Sequence, residues 1–193
     1  EMDPIVRASL VHYQLETAHP FLDGNGRLGR LLITLMLIND GVLHSCLFYP
    51  SFQFKKNRSE YYRQLTSVRE RGTYEEWIEF FCNSLLESAK DSVGSLKNLV
   101  DLHNRSTATI TENLGRTAAN GQRLLGILEE HPIVDTAFIA AQLDIGRSTA
   151  SSLVKSFEEL GILRPLDESR QRYRQYGYEE YLSILREDAE PIR

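Results

Sequence analysis

One short segment, residues 19–30, contains the side chains that could carry chemistry, and it reads H-P-F-L-D-G-N-G-R-L-G-R. Gly24 and Gly26 allow backbone angles that other residues avoid, so successive N–H groups can point into one concavity. The apolar run that follows predicts a helix over residues 27–39, and the start of a helix favours an anion. The segment therefore predicts an anion-binding turn.

The charged side chains of the segment suit a polyphosphate. Arg27 and Arg30 lie three positions apart on the predicted helix, so they share a face and can each grip a phosphate bidentately. Asp23 is the kind of hard oxygen ligand that holds Mg²⁺ together with substrate phosphates. His19 can serve as a general base for an incoming hydroxyl, because histidine changes charge near neutral pH. Together they predict a phosphoryl- or nucleotidyl-transfer site.

Two other phosphate-binding motifs fit poorly. Residues 24–29 match the dinucleotide fingerprint G-x-G-x-x-G, but that fingerprint requires a preceding strand, and residues 7–17 predict a helix instead. A Walker A loop is absent, because the chain contains no Gly-Lys-Ser/Thr.

The segment resembles the active-site motif of the Fic family, H-x-F-x-[DE]-G-N-G-R-x-x-R. Residues 3–41 resemble that family's core helix, active loop and following helix, and the resemblance extends to about Ser92. Residues 121–186 resemble the winged-helix tail that many bacterial Fic proteins carry. The motif matches at every specified position, namely His19, Phe21, Asp23, Gly24, Asn25, Gly26, Arg27 and Arg30.

The resemblance implies transfer of AMP from ATP to a Ser, Thr or Tyr hydroxyl of a target protein. It makes His19 the catalytic base, Asp23 the Mg²⁺ ligand and Phe21 a core anchor of the loop. Gly26 stands where the related Doc-type kinases have lysine, which favours nucleotidyl over phosphoryl transfer. The residues expected to contact the nucleotide are Gly24, Asn25, Gly26, Arg27, Leu28, Gly29, Arg30, Tyr61 and Tyr62.

Two features of the family are not found in the sequence. A flap hairpin that docks the target segment would precede Glu1, so we expect an N-terminally incomplete Fic domain. The inhibitory motif [ST]-x-x-x-[ED]-[GN] comes nearest at residues 108–113, where Ala108 occupies the Ser/Thr position. This near-match lies on the predicted long helix, so we interpret it as a coincidence.

We predict a mainly α fold in two domains. Residues 1–118 form the Fic helical core with a following long helix, and residues 119–193 form a winged helix-turn-helix domain with a small β-hairpin over 162–178. The predicted helices span residues 5–17, 27–39, 56–71, 74–88, 90–117, 123–130, 136–143, 148–160 and 178–186, and Asp135 or Thr136 caps the seventh.

The partners are less defined than the site. No apolar run is long enough to span a bilayer, and the two cysteines form no metal or disulfide pattern, which favours a cytoplasmic protein without a membrane partner. A net charge of −5 argues against a nucleic-acid coat, yet the tail offers a local basic surface for DNA, with a homodimer or target docking as alternatives. That surface comprises Arg147, Lys155, Arg170, Arg172 and Arg174.

Three functions remain open. The first is an ATP- and Mg²⁺-dependent protein adenylyltransferase. The second is a DNA-binding regulator whose Fic half senses a nucleotide, and the third is removal of AMP from a modified protein by the same residues. The other histidines have no partner pattern and are predicted to be structural: His12, His44, His103 and His131.

Overall fold

The computed structural model describes residues 2–44, 50–167 and 174–187. This part of the chain is mainly helical and contains a small antiparallel sheet, which confirms the predicted mainly α class. The chain divides into two compact units, one ending at Gly94 and the other spanning Ser95–Glu187, each with its own apolar core. The predicted domain boundary at residues 118–119 remains a prediction.

The elements of the first unit are helices. Asp3 caps the first helix, because its Oδ1 accepts hydrogen bonds from the N–H groups of Ile5 at 2.8 Å and Val6 at 3.2 Å. Pro4 fits the first helical position, where no backbone donor is needed. The helices are α1 (Pro4–Ala18), α2 (Asn25–Asn39), α3 (Ser51–Lys56), α4 (Arg58–Arg71) and α5 (Tyr74–Asn113), the last of which continues into the second unit.

Aromatic side chains form the core of the first unit. Trp77 and Phe81 of α5 are fully buried, and the Trp77 indole N–H donates to the Ser9 carbonyl of α1 at 3.1 Å. Phe54 of α3 and Tyr61 of α4 pack beside them. This cluster holds α1 in place, and α1 in turn packs against α2.

Several helix boundaries differ from the predicted ones. Helix α5 ends at Asn113 rather than at Thr117, and the helix predicted from Arg123 begins at Ala118. The separate helices at 74–88 and 90–117 are one helix, α5, because no proline or left-handed glycine interrupts the chain between them. The helix predicted from Lys56 begins at Arg58, since Asn57 leaves helical geometry and separates α3 from α4. Helix α2 begins at Asn25 rather than Arg27, so Gly26 is helical.

The second unit combines helices with a three-stranded sheet. Strand β3 lies in the centre and pairs antiparallel with both neighbours, so that Tyr176 faces Val134 on one side and Pro165 on the other. The strand around Val134 was not predicted, because three residues are too few to show an alternating pattern. The elements are α6 (Ala118–Glu130), β1 (Ile133–Asp135), α7 (Thr136–Leu143), α8 (Arg147–Glu159), β2 (Arg164–Pro165), β3 (Gln175–Gly177) and α9 (Glu179–Glu187).

Local signals in the second unit agree with several predictions. The Phe138 N–H donates to Asp135 Oδ1 at 2.7 Å, so Asp135 is the cap of α7. Strands β2 and β3 lie within the predicted hairpin, whose tip at residues 168–173 lies outside the described residues. In the described part of the chain, no helix combines the length and the apolar character that crossing a membrane requires.

The packing of α1 on α2 depends on the absence of a side chain at Gly29. A Cβ there would come within 2.9 Å of Glu16 Oε1 and 3.0 Å of the His12 ring, so one helix would have to shift. We expect Gly29→Ala to lower the free energy of unfolding by about 1–3 kcal/mol, measured by urea titration. Gly126→Ala is the matched control, because nothing lies near its Cβ position and alanine favours a helix. Equal midpoints for Gly29→Ala and the wild type would contradict this account.

Candidate active site

The turn between α1 and α2 has left-handed backbone at both ends. His19 follows α1 with φ 43° and ψ 54°, and Gly24 precedes α2 with φ 84°. Such angles suit glycine, whereas a side chain there costs about 1–2 kcal/mol. His19 therefore holds an unfavourable conformation that the rest of the fold must stabilise, a feature that clusters at functional sites.

Asn25 fixes the shape of this turn. Its side chain is 2 % exposed; its Nδ2 donates to the Phe21 carbonyl at 2.6 Å, and its Oδ1 accepts from the Phe21 N–H at 3.0 Å. The amide thus makes two hydrogen bonds to the backbone of a single residue. Asn25 supports the turn from within, and its predicted contact with a nucleotide remains a prediction.

The first turn of α2 presents backbone donors. The Leu28 N–H is the first to bond within the helix, to the Gly24 carbonyl at 2.9 Å, so the N–H groups of Asn25, Gly26 and Arg27 precede the helical ladder. The Gly24 N–H is taken by Asp23 Oδ1 at 2.6 Å. Such a helix start is suited to an anion, as the sequence predicted for this position.

A cavity of about 290 Å³ lies beside the turn, close to the lower end of the range for ligand sites. Helices α1, α2 and α4 form its walls. The structure thereby brings together five predicted residues, His19, Gly26, Arg30, Tyr61 and Tyr62, which lie up to 43 positions apart in the sequence. The remaining residues that line it are Glu16, Leu65, Thr66 and Arg69.

The two arginines of the motif point to different places. Arg30 lines the cavity, whereas the Arg27 guanidinium turns back to Asp23, with Nη2 3.4 Å from Oδ2. Both side chains of that pair are mostly exposed, at 78 % and 91 %, so the pair contributes little stability. The sharing of a helix face by Arg27 and Arg30 does not bring both guanidinium groups into the cavity.

Four other residues of the segment have surroundings that spacing did not reveal. Gly26 was predicted to supply an unusual backbone angle, but it is helical, and its missing side chain makes room for Arg30 instead. Gly29 is buried against α1, and Leu28 is partly exposed. Phe21 was predicted to be a core anchor, but its ring is 52 % exposed, because none of the described residues covers this side of the turn.

The tyrosines of α4 differ in environment. Tyr61 is buried, and its hydroxyl pairs with His12 Nε2 at 2.9 Å; burial also raises the pKa of Tyr61 well above its ordinary range. Tyr62 is half-exposed, with the Arg58 guanidinium 5.6 Å from its ring centre. Tyr61 thus belongs to the core and the cavity wall at once, while Tyr62 offers an open face.

Glu16 lines the cavity and was missed by the sequence analysis. It lies three residues before His19, one helical turn away, and that spacing could have pointed to it. Burial raises the pKa of Glu16, and the nearby charges of Arg30 and His19 offset part of this rise. Thr66 and Arg69 were missed as well, because only the packing of α4 brings them to the site.

The match to known proteins agrees with this geometry. Residues 1–37, which contain α1, the turn and most of α2, match the Fic/DOC family. The predicted resemblance to Fic proteins is confirmed for this part of the chain. The matched segment holds every residue of the motif, but neither α4 nor the second unit.

Similar proteins extend the match further along the chain. Over 96 residues the chain is 35 % identical to protein adenylyltransferase fic-1 of Caenorhabditis briggsae, and over 100 residues 34 % identical to that of Caenorhabditis elegans. Over 82 residues it is 37 % identical to protein adenylyltransferase Fic of Drosophila ananassae. These matches cover 50 %, 52 % and 42 % of this chain, but only 18 %, 18 % and 15 % of the relatives.

The buried His12 makes stability depend on pH. Burial lowers the pKa of His12 from 6.5 to about 4, so the unfolded state binds more protons than the folded state between these values. The contribution of His12 to the free energy of unfolding should therefore be fully present above pH 6.5. It should fall by up to about 3 kcal/mol as the pH drops towards 4. Urea titrations at several pH values measure this loss.

Comparison with variants isolates the contribution of His12 from that of other groups. His12→Gln should remove this part of the pH dependence, whereas His44→Gln, at an exposed position, should retain it. The same pH dependence in wild type and His12→Gln would show that His12 is not the responsible group.

Proposed function

We propose that this chain forms part of an enzyme that transfers AMP from ATP to a Ser, Thr or Tyr hydroxyl of a target protein, with Mg²⁺. The observation that carries the proposal is the cavity in which His19 and Arg30 meet beside the free N–H groups of α2. The names of the relatives, protein adenylyltransferases, support the same activity.

Different residues of the cavity and of the turn would perform different steps of such a transfer. The hydroxyl oxygen attacks the α-phosphorus of ATP, the bond to the bridging oxygen breaks, and pyrophosphate leaves. The His19 imidazole takes the hydroxyl proton. Arg30 and the N–H groups at the start of α2 bind the phosphate oxygens and stabilise the charge that builds up on them.

Asp23 is accessible enough to be the proposed magnesium ligand. Its carboxylate is 91 % exposed at the start of α2, so it is open to a cation that shares its ligands with phosphates. A bound Mg²⁺ would neutralise phosphate charge there. The contact with Arg27 is long and solvated, so it can be exchanged for a metal at little cost.

Gly26 bears on which phosphate is transferred. A Cβ at this position would lie 3.0 Å from Arg30 Nη1, so a longer side chain would displace the guanidinium from the cavity. By the resemblance to the Fic family, glycine rather than lysine at this position favours the nucleotidyl over the phosphoryl reaction. Removal of AMP by the same residues is the alternative that an assay must test.

The role of His19 is tested with ATP labelled at the α-phosphate. We expect His19→Ala to lower label transfer to protein by about 10²–10⁴-fold while MgATP binding is retained, because only the proton acceptor is lost. His44→Ala is the matched control, an exposed histidine outside the cavity lining.

Other outcomes point elsewhere. Transfer from γ-labelled ATP would indicate phosphoryl transfer, and loss of label from a pre-modified protein would indicate AMP removal. Undiminished transfer by His19→Ala would refute the proposed base.

DNA binding by the second unit is a second candidate function. Helices α7 and α8 are joined by a short turn and followed by strands β2 and β3, an order that supports a winged helix-turn-helix. Arg147 is the first residue of α8, and Lys155 Nζ lies 3.6 Å from Glu159 Oε1. Arg170 and Arg172 lie outside the described residues, and Arg174 lies just before β3. A homodimer, a protein target and a cytoplasmic location remain proposals too.

A mobility-shift assay with duplex DNA at several salt concentrations tests this candidate. If α8 contacts phosphates, Arg147→Ala should weaken binding and reduce the salt dependence by about one phosphate contact. Glu158→Ala, on the same helix, should not weaken binding. An absence of binding at about 50 mM salt would rule out the candidate.

A further inference from the structure

Glu16 occupies a recess in the surface of α2. A Cβ at Gly29 would come within 2.9 Å of Glu16 Oε1, and one at Gly26 within 3.6 Å. These glycines lie three residues apart and so face the same way on the helix. Their missing side chains create the space in which the carboxylate lies.

The Arg30 side chain also adjoins this recess. Its Nη1 lies 3.0 Å from the Cβ position of Gly26, the glycine that also adjoins Glu16 Oε1. Both side chains line the cavity. A negative and a positive group therefore converge on one glycine, at the wall where a ligand would be bound.

Among the described residues Glu16 forms no ion pair, so its charge is balanced only at longer range. Glu16 Oε1 is buried and accepts no hydrogen bond from any described residue. An isolated buried carboxylate is costly unless an opposite charge is near, and the charge of Arg30 is the larger of those that offset the effect of burial on the pKa of Glu16.

We propose that Glu16 is a positioning residue, whose carboxylate holds the guanidinium of Arg30 turned into the cavity. The recess formed by Gly26 and Gly29 places the carboxylate, and the carboxylate places Arg30. The benefit for phosphate binding rests on the proposed function, but the restraint on Arg30 does not.

Binding of MgATP distinguishes positioning from simpler roles. We expect Glu16→Gln to raise the Kd and KM for MgATP about tenfold, because a loosened Arg30 makes a poorer phosphate contact. Glu70→Gln, the same charge change on an exposed part of α4, should leave both unchanged. Tighter binding by Glu16→Gln would show that Glu16 acts only as a repulsive charge, and unchanged binding would show that it only fills space; either result overturns the proposal.

The orientation of Arg30 can also be observed directly. In a ¹⁵N-resolved NMR spectrum, the Nε–Hε signal of Arg30 can be assigned by its loss in Arg30→Lys. Its chemical shift should differ from that of free arginine in the wild type and move towards the free value in Glu16→Gln. An unchanged signal in a folded Glu16→Gln variant would refute the proposal. If that variant does not fold, Glu16→Asp, which keeps the charge but retracts it, should shift the signal in the same direction.

These readouts separate the two proposals. If the chain transfers no AMP but the Arg30 signal changes in Glu16→Gln, the proposed function is refuted and the positioning role stands. If the chain transfers AMP but the Arg30 signal is the same with and without Glu16, the proposed function stands and the positioning role is refuted. In the Arg30→Lys background, Glu16→Gln should change the MgATP Kd by less than about twofold, because its effect passes through the guanidinium.

Discussion

The close approach of α1 to α2 at Gly29 is the contact on which the site depends. With no side chain at that position, the ring of His12 and the carboxylate of Glu16 lie directly against the α2 backbone. The C-terminal end of α1 is thereby brought beside the N-terminal end of α2. His19, which ends the first helix, lies next to the backbone donors that begin the second.

The turn between these helices satisfies its own polar groups and leaves other donors free. Asn25 binds both backbone groups of Phe21, and Asp23 takes the Gly24 N–H. The donors of the first turn of α2 are not used in this way. A rigid turn that leaves backbone N–H groups unpaired is already organised for an anion, so less free energy is spent on ordering when one binds.

His12 connects the aromatic core to this site. Its ring lies 5.7 Å from that of Phe54 and 6.1 Å from that of Trp77, and its Nε2 pairs with the Tyr61 hydroxyl. Through that pair, the core fixes the tyrosine that lines the cavity. The cavity wall is therefore rigid on the side of α4 for the same reason that the first unit is stable: its large rings are packed against one another.

The sequence alone determined the motif, the position of the turn before α2, the mainly α class and most helix ends, because these depend on residue types at short spacing. The cap of α7 was narrowed to Asp135 or Thr136 for this reason, and the structure shows that it is Asp135. Only the tertiary structure decided that Arg30 faces the cavity while Arg27 pairs with Asp23, that Phe21 is exposed, and that Glu16 lies at the site. The direction of a long side chain and the content of a cavity depend on how helices distant in sequence pack, and a local pattern carries no information about that.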